Sequence, residues 1–399
     1  MNIPKYESRA GVFFPVSEIV KGHKIQRIDN TDAEEWIAYT KILESNGYIL
    51  YEANEIPAGI IKTYNKNMFY AYKRDNCILF VSWMALCHRV YIVSTENDII
   101  PSSKRFADIT TYKTNPVVVQ CKLSKGYVYV VKLRDGSVVL IDGDRKDEND
   151  TKVLYNYLKE NALTDGKIKI DTWMFTHPDN DHIVLATEFM KNYSNQVEIS
   201  AFAYQFTDCD KMQYTHKPPS VIKKDITAFE NNICKYYSDA LIYTLHTGQK
   251  FCFSGAEIEV LLTADMLYPY SYISANDTSA VLRVIFENGK KVMFLGDCMQ
   301  YSCRELAHIY GGYLKSDVMQ VAHHGLIGGD LGLYKLIDPE ICLWSTSAER
   351  FMGALETEKY HWCIGEGGCD YNKWIRDDSI RKRKHYHLGE TAVIDICKL

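Results

Sequence analysis

The chain has 399 residues, 46% hydrophobic and 24% charged, a composition typical of globular proteins rather than fibrous or disordered ones. Its 46 basic and 51 acidic side chains give a net charge of −5, which excludes a uniformly basic surface for nucleic acid. No apolar run approaches the roughly 18 residues of a membrane helix, and the amino-terminal MNIPKYESRA lacks a secretory signal core. The 12 cysteines never occur as C-x-x-C. We therefore expect a cytoplasmic protein with no membrane contact, disulfide framework or zinc ribbon.

The amino-terminal sequence predicts a small α+β domain over residues 1–113. One amphipathic helix begins near Thr31, where Glu34 completes a capping box, and ends before Gly47. Short segments rich in aromatic and β-branched residues follow at 48–53, 59–64, 67–73, 76–84 and 88–93. They predict a strand meander that packs on the helix. The domain contains no cluster of catalytic residue types, so its role is unknown and contact with a protein partner is one hypothesis for it.

Residues 114–399 form the second predicted domain, in which strands and helices alternate. A hairpin over 127–141 turns at an Asp-Gly pair, a strong turn signal, and ends directly before Asp142. A second hairpin over 280–295 turns at Asn-Gly and ends just before Asp297. Because both hairpins deliver an aspartate at the end of their second strand, the sequence predicts an internally duplicated architecture.

The loop after a predicted strand at 170–175 has four potential metal ligands within six residues. They are His177, Asp179, Asp181 and His182. Extended residues two apart point the same way, so His177 and Asp179 can bind one ion, and the next two can bind another. Histidine and carboxylate are the ligands of zinc, manganese or iron in sites that activate water. The alternative is an ordinary polar loop with an aspartate helix cap.

This spacing is similar to the H-x-H-x-D-H signature of the metallo-β-lactamase superfamily. The segment VVLIDGD before this loop and the segments FLGD and VAHHG after it fall in that family's order. Within the superfamily the chain resembles the hydrolase domain of bacterial DNA-uptake competence proteins, through the aspartate at the second ligand position and the segments NDTSAVLRV and DVMQVAHHG. The resemblance covers residues 114–399. It implies an α/β (α+β) fold, a four-layer αββα sandwich with metals at the seam between its halves, preceded by the small α+β domain.

The resemblance also implies two divalent metal ions, with zinc favoured and manganese or iron as alternatives. It implies that six residues bind them, namely His177, Asp179, Asp181, His182, Asp297 and His324. Asp297 would bridge the ions, and His323 is the less favoured ligand of its pair because the family's ligand directly precedes the glycine. Asp142 would orient the ligands without contacting metal. Asp179 or Asp181 could in addition accept a proton as a general base.

Two departures from the family pattern affect the first metal position. A further histidine expected before the bridging aspartate is absent, since only His216 and His246 lie in that interval and neither fits. Asp277 stands roughly in its place, as a substitute ligand or as the sign of a weak first site that favours manganese. The glycines that usually follow the ligand loop are also missing, since His182 continues into Ile183. The shape of the substrate pocket is therefore open.

The predicted activity is hydrolysis by a metal-activated water, most favourably of a phosphodiester or nucleic-acid-like substrate. This substrate follows chiefly from the competence-protein resemblance. A basic run near the carboxyl end adds weaker support as a phosphate-binding segment, consisting of Arg381, Lys382, Arg383, Lys384 and His387. The alternatives are an ester, lactone or thioester hydrolase of the same fold, and a catalytically idle module that binds metal or a partner. A diiron redox role is the least favoured.

Overall fold

The computed structural model describes residues 3–60, 65–101, 114–123, 128–161, 163–164, 167–212, 217–270, 274–325, 328–349, 377–388 and 391–399. The predicted domain boundary near residue 113 and the candidate His216 lie outside these ranges. The boundary therefore stays a prediction. Among the described residues, no helix is both long and apolar enough to span a membrane.

A six-stranded antiparallel sheet with one helix forms the amino-terminal unit. The strands are β1 (Val12–Phe13), β2 (Lys24–Asp29), β3 (Ile49–Ala58), β4 (Asn65–Arg74), β5 (Cys77–Met84) and β6 (Arg89–Glu96), in the spatial order β1-β2-β6-β5-β4-β3. Helix α1 (Ala33–Ser45) packs Trp36, Tyr39 and Leu43 into the core of one sheet face. The segment predicted at 48–53 extends to Ala58 as β3, and most of the segment predicted at 59–64 lies outside the described residues. Strand β3 runs through Pro57, which an edge strand tolerates because its backbone nitrogen needs no ladder partner.

The start of α1 differs in detail from the predicted capping box. Asp32 is the N-cap, and its side chain accepts a hydrogen bond from the Glu35 backbone nitrogen at 2.8 Å. The Thr31 hydroxyl donates instead to the Glu35 carboxylate at 2.8 Å. The helix was therefore placed correctly, but its cap lies one residue further along the chain.

The first half of the remaining chain is an eight-stranded mixed sheet with helices on its outer face. Its strands are β7 (Val117–Gln120), β8 (Tyr129–Lys132), β9 (Val138–Ile141), β10 (Leu163–Thr164), β11 (Lys167–Met174), β12 (Val197–Tyr204), β13 (Leu241–Thr244) and the carboxyl-terminal β21 (Ala392–Asp395). Its helices are α2 (Glu148–Asn161), α3 (Asn180–Tyr193) and α4 (Pro219–Tyr236). Strands β9, β11, β12 and β13 are parallel, so their carboxyl ends share one edge.

The second half repeats this plan with a seven-stranded sheet. Its strands are β14 (Lys250–Phe253), β15 (Ala256–Leu262), β16 (Val281–Phe286), β17 (Lys291–Phe294), β18 (Val318–Gln320), β19 (Ile341–Ser347) and β20 (Lys384–Leu388). Its helices are α5 (Gln300–Tyr310), α6 (Leu331–Ile337) and the short α7 (Asp378–Arg381). Strands β17 to β20 are parallel. Both predicted hairpins are present, as β8–β9 and β16–β17.

Three hydrophobic cores separate the layers of this αββα sandwich. One core fills the space between the two sheets and includes Val131, Ile141, Val284 and Phe294. A second lies between the first sheet and helices α2 to α4, and a third lies between the second sheet and helices α5 and α6. The predicted four-layer fold is thus confirmed.

The amino-terminal sheet packs on the second half of the sandwich. Its residues Phe69, Phe80 and Val93 belong to the same hydrophobic cluster as Leu306 and Ile309 of α5. Polar contacts cross this junction as well. The buried Arg89 donates to Glu305 at 2.6 Å, the Tyr91 hydroxyl donates to the Met266 carbonyl at 2.9 Å, and Gly59 N donates to the Tyr310 carbonyl at 2.9 Å.

Candidate metal centre

The candidate site lies where the carboxyl ends of parallel strands from both sheets meet. Asp142 follows β9 and His177 closely follows β11 in the first sheet, while Asp297 and His324 follow β17 and β18 in the second. A backbone hydrogen bond of 2.8 Å from Ala280 N to the Thr176 carbonyl connects the two edges. Ligands in open α/β sheets bind at this kind of edge because the loops there can vary without disturbing the strands.

Asp297 lies at the centre of a buried cluster of ring nitrogens and carboxylate oxygens. Its Oδ2 is 3.4 Å from His182 Nε2, 3.6 Å from His324 Nε2 and 3.8 Å from His177 Nε2. His177 and His182 are fully buried, and Asp297 nearly so. The ligand atoms of these last three residues lie within 4.8 Å of one another, a spacing that suits a metal ion.

The other ring nitrogen of each histidine has a separate partner. His182 Nδ1 is 3.0 Å from Asp142 Oδ2, and His324 Nδ1 is 3.3 Å from the Ser345 carbonyl. His177 Nδ1 is 3.1 Å from the Thr176 hydroxyl and 3.2 Å from that of Ser279. Since acceptors hold the Nδ1–H of His182 and His324, the Nε2 atoms of both rings are the ones that face Asp297. His177 Nε2 is buried and has no hydrogen-bond partner among the described residues.

Asp142 and two glycines hold the ligand loop in place. The Asp142 carboxylate accepts hydrogen bonds from Thr176 N at 2.7 Å and from the Thr176 hydroxyl at 2.8 Å, as well as from His182. A Cβ on Gly143 would lie 2.9 Å from the Ala186 Cβ of α3, and one on Gly296 would lie 2.8 Å from Thr176. The sequence lacks the usual glycines after His182, so it did not predict how closely α3 could approach its neighbours. Gly143 permits a close approach.

Asp179 and Asp181 lie on opposite sides of the turn that begins α3. Asp179 is the N-cap residue, and its Oδ2 is 4.0 Å from His177 Nε2. Asp181 Oδ2 is 3.4 Å from His324 Nε2, and it accepts a hydrogen bond of 2.8 Å from the half-exposed Arg145. The structure therefore brings the six predicted ligands together, and the rings of His177 and His182 are adjacent, with centroids 3.9 Å apart.

Burial and neighbouring charges shift the pKa values of the buried groups in the cluster. Burial and the neighbouring His182 lower the pKa of His177 to about 3, which keeps that ring neutral. Burial disfavours a charged His182, but Asp297 and Asp142 outweigh it and raise its pKa well above the ordinary value. Burial likewise disfavours a charged Asp297, yet His182 and His324 outweigh it and hold its pKa well below the ordinary range. A metal ion that replaced the protons favoured at His182 would meet imidazole and ionised carboxylate, a donor set that fits zinc, manganese or iron.

Ser279 contacts the cluster, whereas the side chain of Asp277 has other partners. The Ser279 hydroxyl contacts His177 Nδ1 and accepts a hydrogen bond of 3.0 Å from Asp297 N. The Asp277 carboxylate instead accepts from the hydroxyl of Ser274, at 3.1 Å, and lies 3.5 Å from that of Ser302. Burial raises its pKa to about 6. These contacts give no support to Asp277 as a substitute ligand.

The adjacent His323 lies at the margin of the cluster. Its Nε2 is 3.9 Å from Asp297 Oδ2 and 3.2 Å from the Asn276 side-chain nitrogen. Both His323 and His324 adopt left-handed backbone conformations, with φ of 48° and 57°. Non-glycine residues rarely adopt them, and such strain is common at functional sites.

The predicted phosphate-binding run lies mostly at the wrong end of the sheet. Lys384 pairs with Ile341 at the start of β19, whereas the ligands follow the other ends of these parallel strands, about 13 Å further along. Arg381 and Lys382 form ion pairs with Asp378. Arg383 pairs with Asp338 at 2.6 Å, beside a cavity of about 360 Å³, and Lys384 lies over the Tyr386 ring. The role predicted for these four residues has no support in this geometry.

His387 is the member of that run at the site's end of the sheet. Its ring stacks on Trp344 with a centroid distance of 6.2 Å. A Cβ on Gly325, the residue after His324, would lie 2.1 Å from the same indole. His387 is therefore separated from the ligand His324 by a packed tryptophan.

Sequence reasoning missed three residues that shape the centre. Arg145 lies three residues after Asp142, in the loop that follows β9. A basic residue in that loop could have been noticed in the sequence. Ser279 lies in the segment NDTSAVLRV, but the sequence favoured Asp277, two residues before it, as the candidate. The Ser345 carbonyl, which holds His324, could not have been found, because a backbone oxygen has no sequence signature.

We expect Asp142→Asn to weaken metal binding by about 10–100-fold while leaving every ligand in place, because outer-shell carboxylates fix the tautomer of the histidines they contact. An amide would present a donor or a weaker acceptor to His182 Nδ1. Equilibrium dialysis against zinc would measure the change. Asp171→Asn, in the same sheet, is the matched control, and equal affinities for the two variants would contradict the role of Asp142.

A strand-end cluster of histidines and carboxylates at the seam of an αββα sandwich defines a metal-binding protein of the metallo-β-lactamase type. The family model for the metallo-beta-lactamase superfamily matches residues 122–360. The chain belongs to this superfamily. The match is to the superfamily as a whole, so the finer resemblance to competence proteins stays a prediction.

The comparison with solved structures found matches at low identity. The diiron beta-hydroxylase CmlA from Streptomyces venezuelae is 11% identical with a TM-score of 0.40, over 71% of this chain and 55% of that protein. A putative metallo-beta-lactamase from Thermotoga maritima is 14% identical with a TM-score of 0.28, over 46% and 79% respectively. The metallo-beta-lactamase SMB-1 is 10% identical with a TM-score of 0.31, over 53% and 80%. The chain thus spans about half the length of CmlA, and no curated protein matches it.

Proposed function

We propose that the chain is a hydrolase that uses two divalent metal ions, preferably zinc, to direct water at a phosphodiester. The observation that carries the proposal is the convergence of three histidine Nε2 atoms on Asp297, each at 3.4–3.8 Å. Each of these rings is positioned by a separate contact at Nδ1. A bound metal ion would displace the protons of His182 and His324, and the three imidazole lone pairs would then converge on a common point, as metal ligation requires.

The number of candidate ligands favours a dinuclear centre, because six clustered residues exceed the four that one tetrahedral zinc ion takes. His177 and Asp179 would hold the first ion, while Asp181, His182 and His324 would hold the second, with Asp297 between them. Ions bound there would lower the pKa of water toward neutrality and polarise the group under attack.

Asp179 is the best placed proton acceptor of this chain. Burial raises the pKa of its carboxyl above the ordinary value, although Lys217 opposes the shift. A carboxylate of raised pKa accepts a proton more readily at neutral pH, which suits a general base. Asp181 is less suited, because Arg145 and His324 contact it and its pKa lies well below the ordinary value despite burial.

Two cationic side chains at the start of α3 support an anionic substrate. Arg145 donates to Asp181 and leaves half of its side chain exposed. The Lys217 ammonium donates to the side-chain oxygen of Asn180, the residue between the two ligand aspartates. Guanidinium and ammonium groups bind phosphate oxygens through charge-assisted hydrogen bonds. Arg145 and Lys217, rather than residues 381–384, are therefore the cations that support the phosphodiester proposal.

The test is hydrolysis of bis-p-nitrophenyl phosphate and of p-nitrophenyl acetate by protein loaded with zinc or manganese. We expect turnover of the phosphodiester, with KM raised about 10–100-fold in Lys217→Gln because one charge-assisted hydrogen bond is lost. Lys223→Gln, which changes a lysine on the exposed side of α4, is the matched control and should leave KM unchanged.

Two results would redirect the assignment. Cleavage of the acetate alone, with every divalent metal tried, would indicate an ester hydrolase. Less than one metal ion per chain, unchanged by His177→Ala, would indicate a catalytically idle module. In that case residues 1–113 would be the segment to test for partner binding, although the sheet face that contributes Phe69 and Val93 already packs on α5.

A further inference from the structure

A second cluster of histidines and aspartates lies away from the strand-end site, at the junction of the amino-terminal sheet with both halves of the sandwich. His23 directly precedes β2, and Asp98 follows β6 by two residues. His246 follows β13 of the first half, and Asp265 lies in the short helix Ala264–Leu267 after β15 of the second half. Both histidines and Asp265 are buried, and Asp98 is partly buried.

In this cluster the two imidazole rings stack on each other, and one carboxylate lies at each edge of the stack. The imidazole rings of His23 and His246 are stacked, with centroids 5.0 Å apart and planes 18° apart. Asp265 Oδ2 lies at the Nδ1 edge of both rings, 3.3 Å from His23 and 3.6 Å from His246. Asp98 Oδ2 lies at the Nε2 edge of both rings, 4.0 Å from His23 and 3.2 Å from His246.

We propose that His23, His246 and Asp98 bind a divalent metal ion, zinc or a similar transition metal, which joins the amino-terminal sheet to the sandwich. Ligand atoms from these three residues lie within 4.8 Å of one another. Zinc bonds to nitrogen and oxygen are about 2.0–2.2 Å long, so two ligand atoms on one ion are at most about 4.2 Å apart. The separations of 3.2 and 4.0 Å both fall within that limit.

Asp265 gives both rings the orientation that a metal requires. Its Oδ2 is within hydrogen-bond distance of His23 Nδ1, at 3.3 Å, and lies 3.6 Å from His246 Nδ1. With the Nδ1 edges turned to Asp265, the Nε2 atoms of both rings face Asp98, much as the contact with Asp142 turns Nε2 of His182 to Asp297. Asp265 Oδ2 is itself fixed by a hydrogen bond of 2.8 Å from Gln205. Its Oδ1 is buried and has no hydrogen-bond partner among the described residues. The Phe80 ring covers His246 at a centroid distance of 3.7 Å, which excludes water from that face.

The balance of charge also favours a metal ion. Two carboxylates in a buried site need two compensating positive charges. Two protonated imidazoles could supply them, but they would then be like charges stacked face to face. One divalent ion with two neutral imidazoles supplies the same charge without that repulsion. The three protein ligands leave one position for water, beside the partly exposed Asp98.

The experiment separates this site from the strand-end centre. The full-length double variant His182→Ala with Asp297→Asn leaves at most two of the predicted ligands of either strand-end ion. Stripped with chelator and dialysed against zinc, it should retain about one ion per chain by elemental analysis. Adding His246→Gln should reduce the content to about zero. Cobalt in place of zinc should give visible absorption bands in the double variant, and these bands should be lost with His246→Gln.

A milder substitution guards against unfolding of the buried site. Asp98→Asn keeps the side-chain volume at a partly exposed position, and in the same background it should weaken zinc binding at least about 10-fold. Zinc should raise the melting temperature of the double variant and leave that of the Asp98→Asn triple variant unchanged. A folded double variant that retains no ion in millimolar zinc would overturn the proposal, as would retention that neither Asp98→Asn nor His246→Gln reduces. Either result would leave the strand-end centre untouched.

Discussion

Replacing Asp297 with asparagine should abolish hydrolysis and lower the metal content of the strand-end centre by at least one ion per chain. Asp297 Oδ2 is the atom that lies within 4 Å of His177, His182 and His324. Its carboxylate is buried, and the pKa of that group lies well below the ordinary range because of His182 and His324. An amide has almost the same volume but carries no charge. The three histidines would lose their common anionic partner, and we expect turnover to fall at least about 1000-fold.

Elemental analysis and initial rates on bis-p-nitrophenyl phosphate would measure both effects. Asp317→Asn is a suitable control, because Asp317 lies at the opposite end of the same sheet and pairs with Lys290 at 2.9 Å. That variant should keep its metal and its rate. If Asp297→Asn retained full metal content and more than about a tenth of the rate, the assignment of Asp297 as the bridging ligand would be wrong.

The local part of the strand-end centre could be predicted from the sequence, because four of its residues occur within six positions. A strand period of two and a following helix were enough to place His177 and Asp179 together. Asp297 and His324 were reached only through the family resemblance, since they lie more than a hundred residues further along the chain. Their meeting with the ligand loop depends on the packing of two sheets, and hydrophobic periodicity does not specify which sheet edges meet.

The density of basic residues along the sequence did not predict which cations lie near the strand-end centre. The run Arg381–Lys384 is the most concentrated basic segment, yet strand register places it at the amino ends of the parallel strands. The two cations near the centre, Arg145 and Lys217, lie far from that run, and Lys217 has no basic neighbour in the sequence apart from His216. The cluster around His246 escaped notice for a related reason, since His23 is more than two hundred residues away from it.

Replacing Arg89 with methionine should lower the free energy of unfolding by about 3–5 kcal/mol, the largest stability change we expect at the junction. Arg89 is buried and donates to Glu305 of α5 at 2.6 Å, to Tyr91 at 3.2 Å and to Asp29 at 3.1 Å. Methionine fills much of the same volume but leaves the Glu305 carboxylate buried, with the Tyr270 hydroxyl at 3.0 Å as its remaining donor. A buried charge without a counter-charge is costly, whereas removal of both partners is far less so.

Denaturant titration would therefore compare three variants. Arg89→Met should be the least stable, and combining it with Glu305→Gln should recover a large part of the loss, because the uncompensated carboxylate is then gone. Lys66→Met breaks an exposed pair with Glu55 on the same sheet and should change stability by less than about 1 kcal/mol. If the double variant were no more stable than Arg89→Met, the cost would arise from lost packing rather than from charge. The attachment of the amino-terminal sheet would then depend on its shared hydrophobic cluster and not on this ion pair.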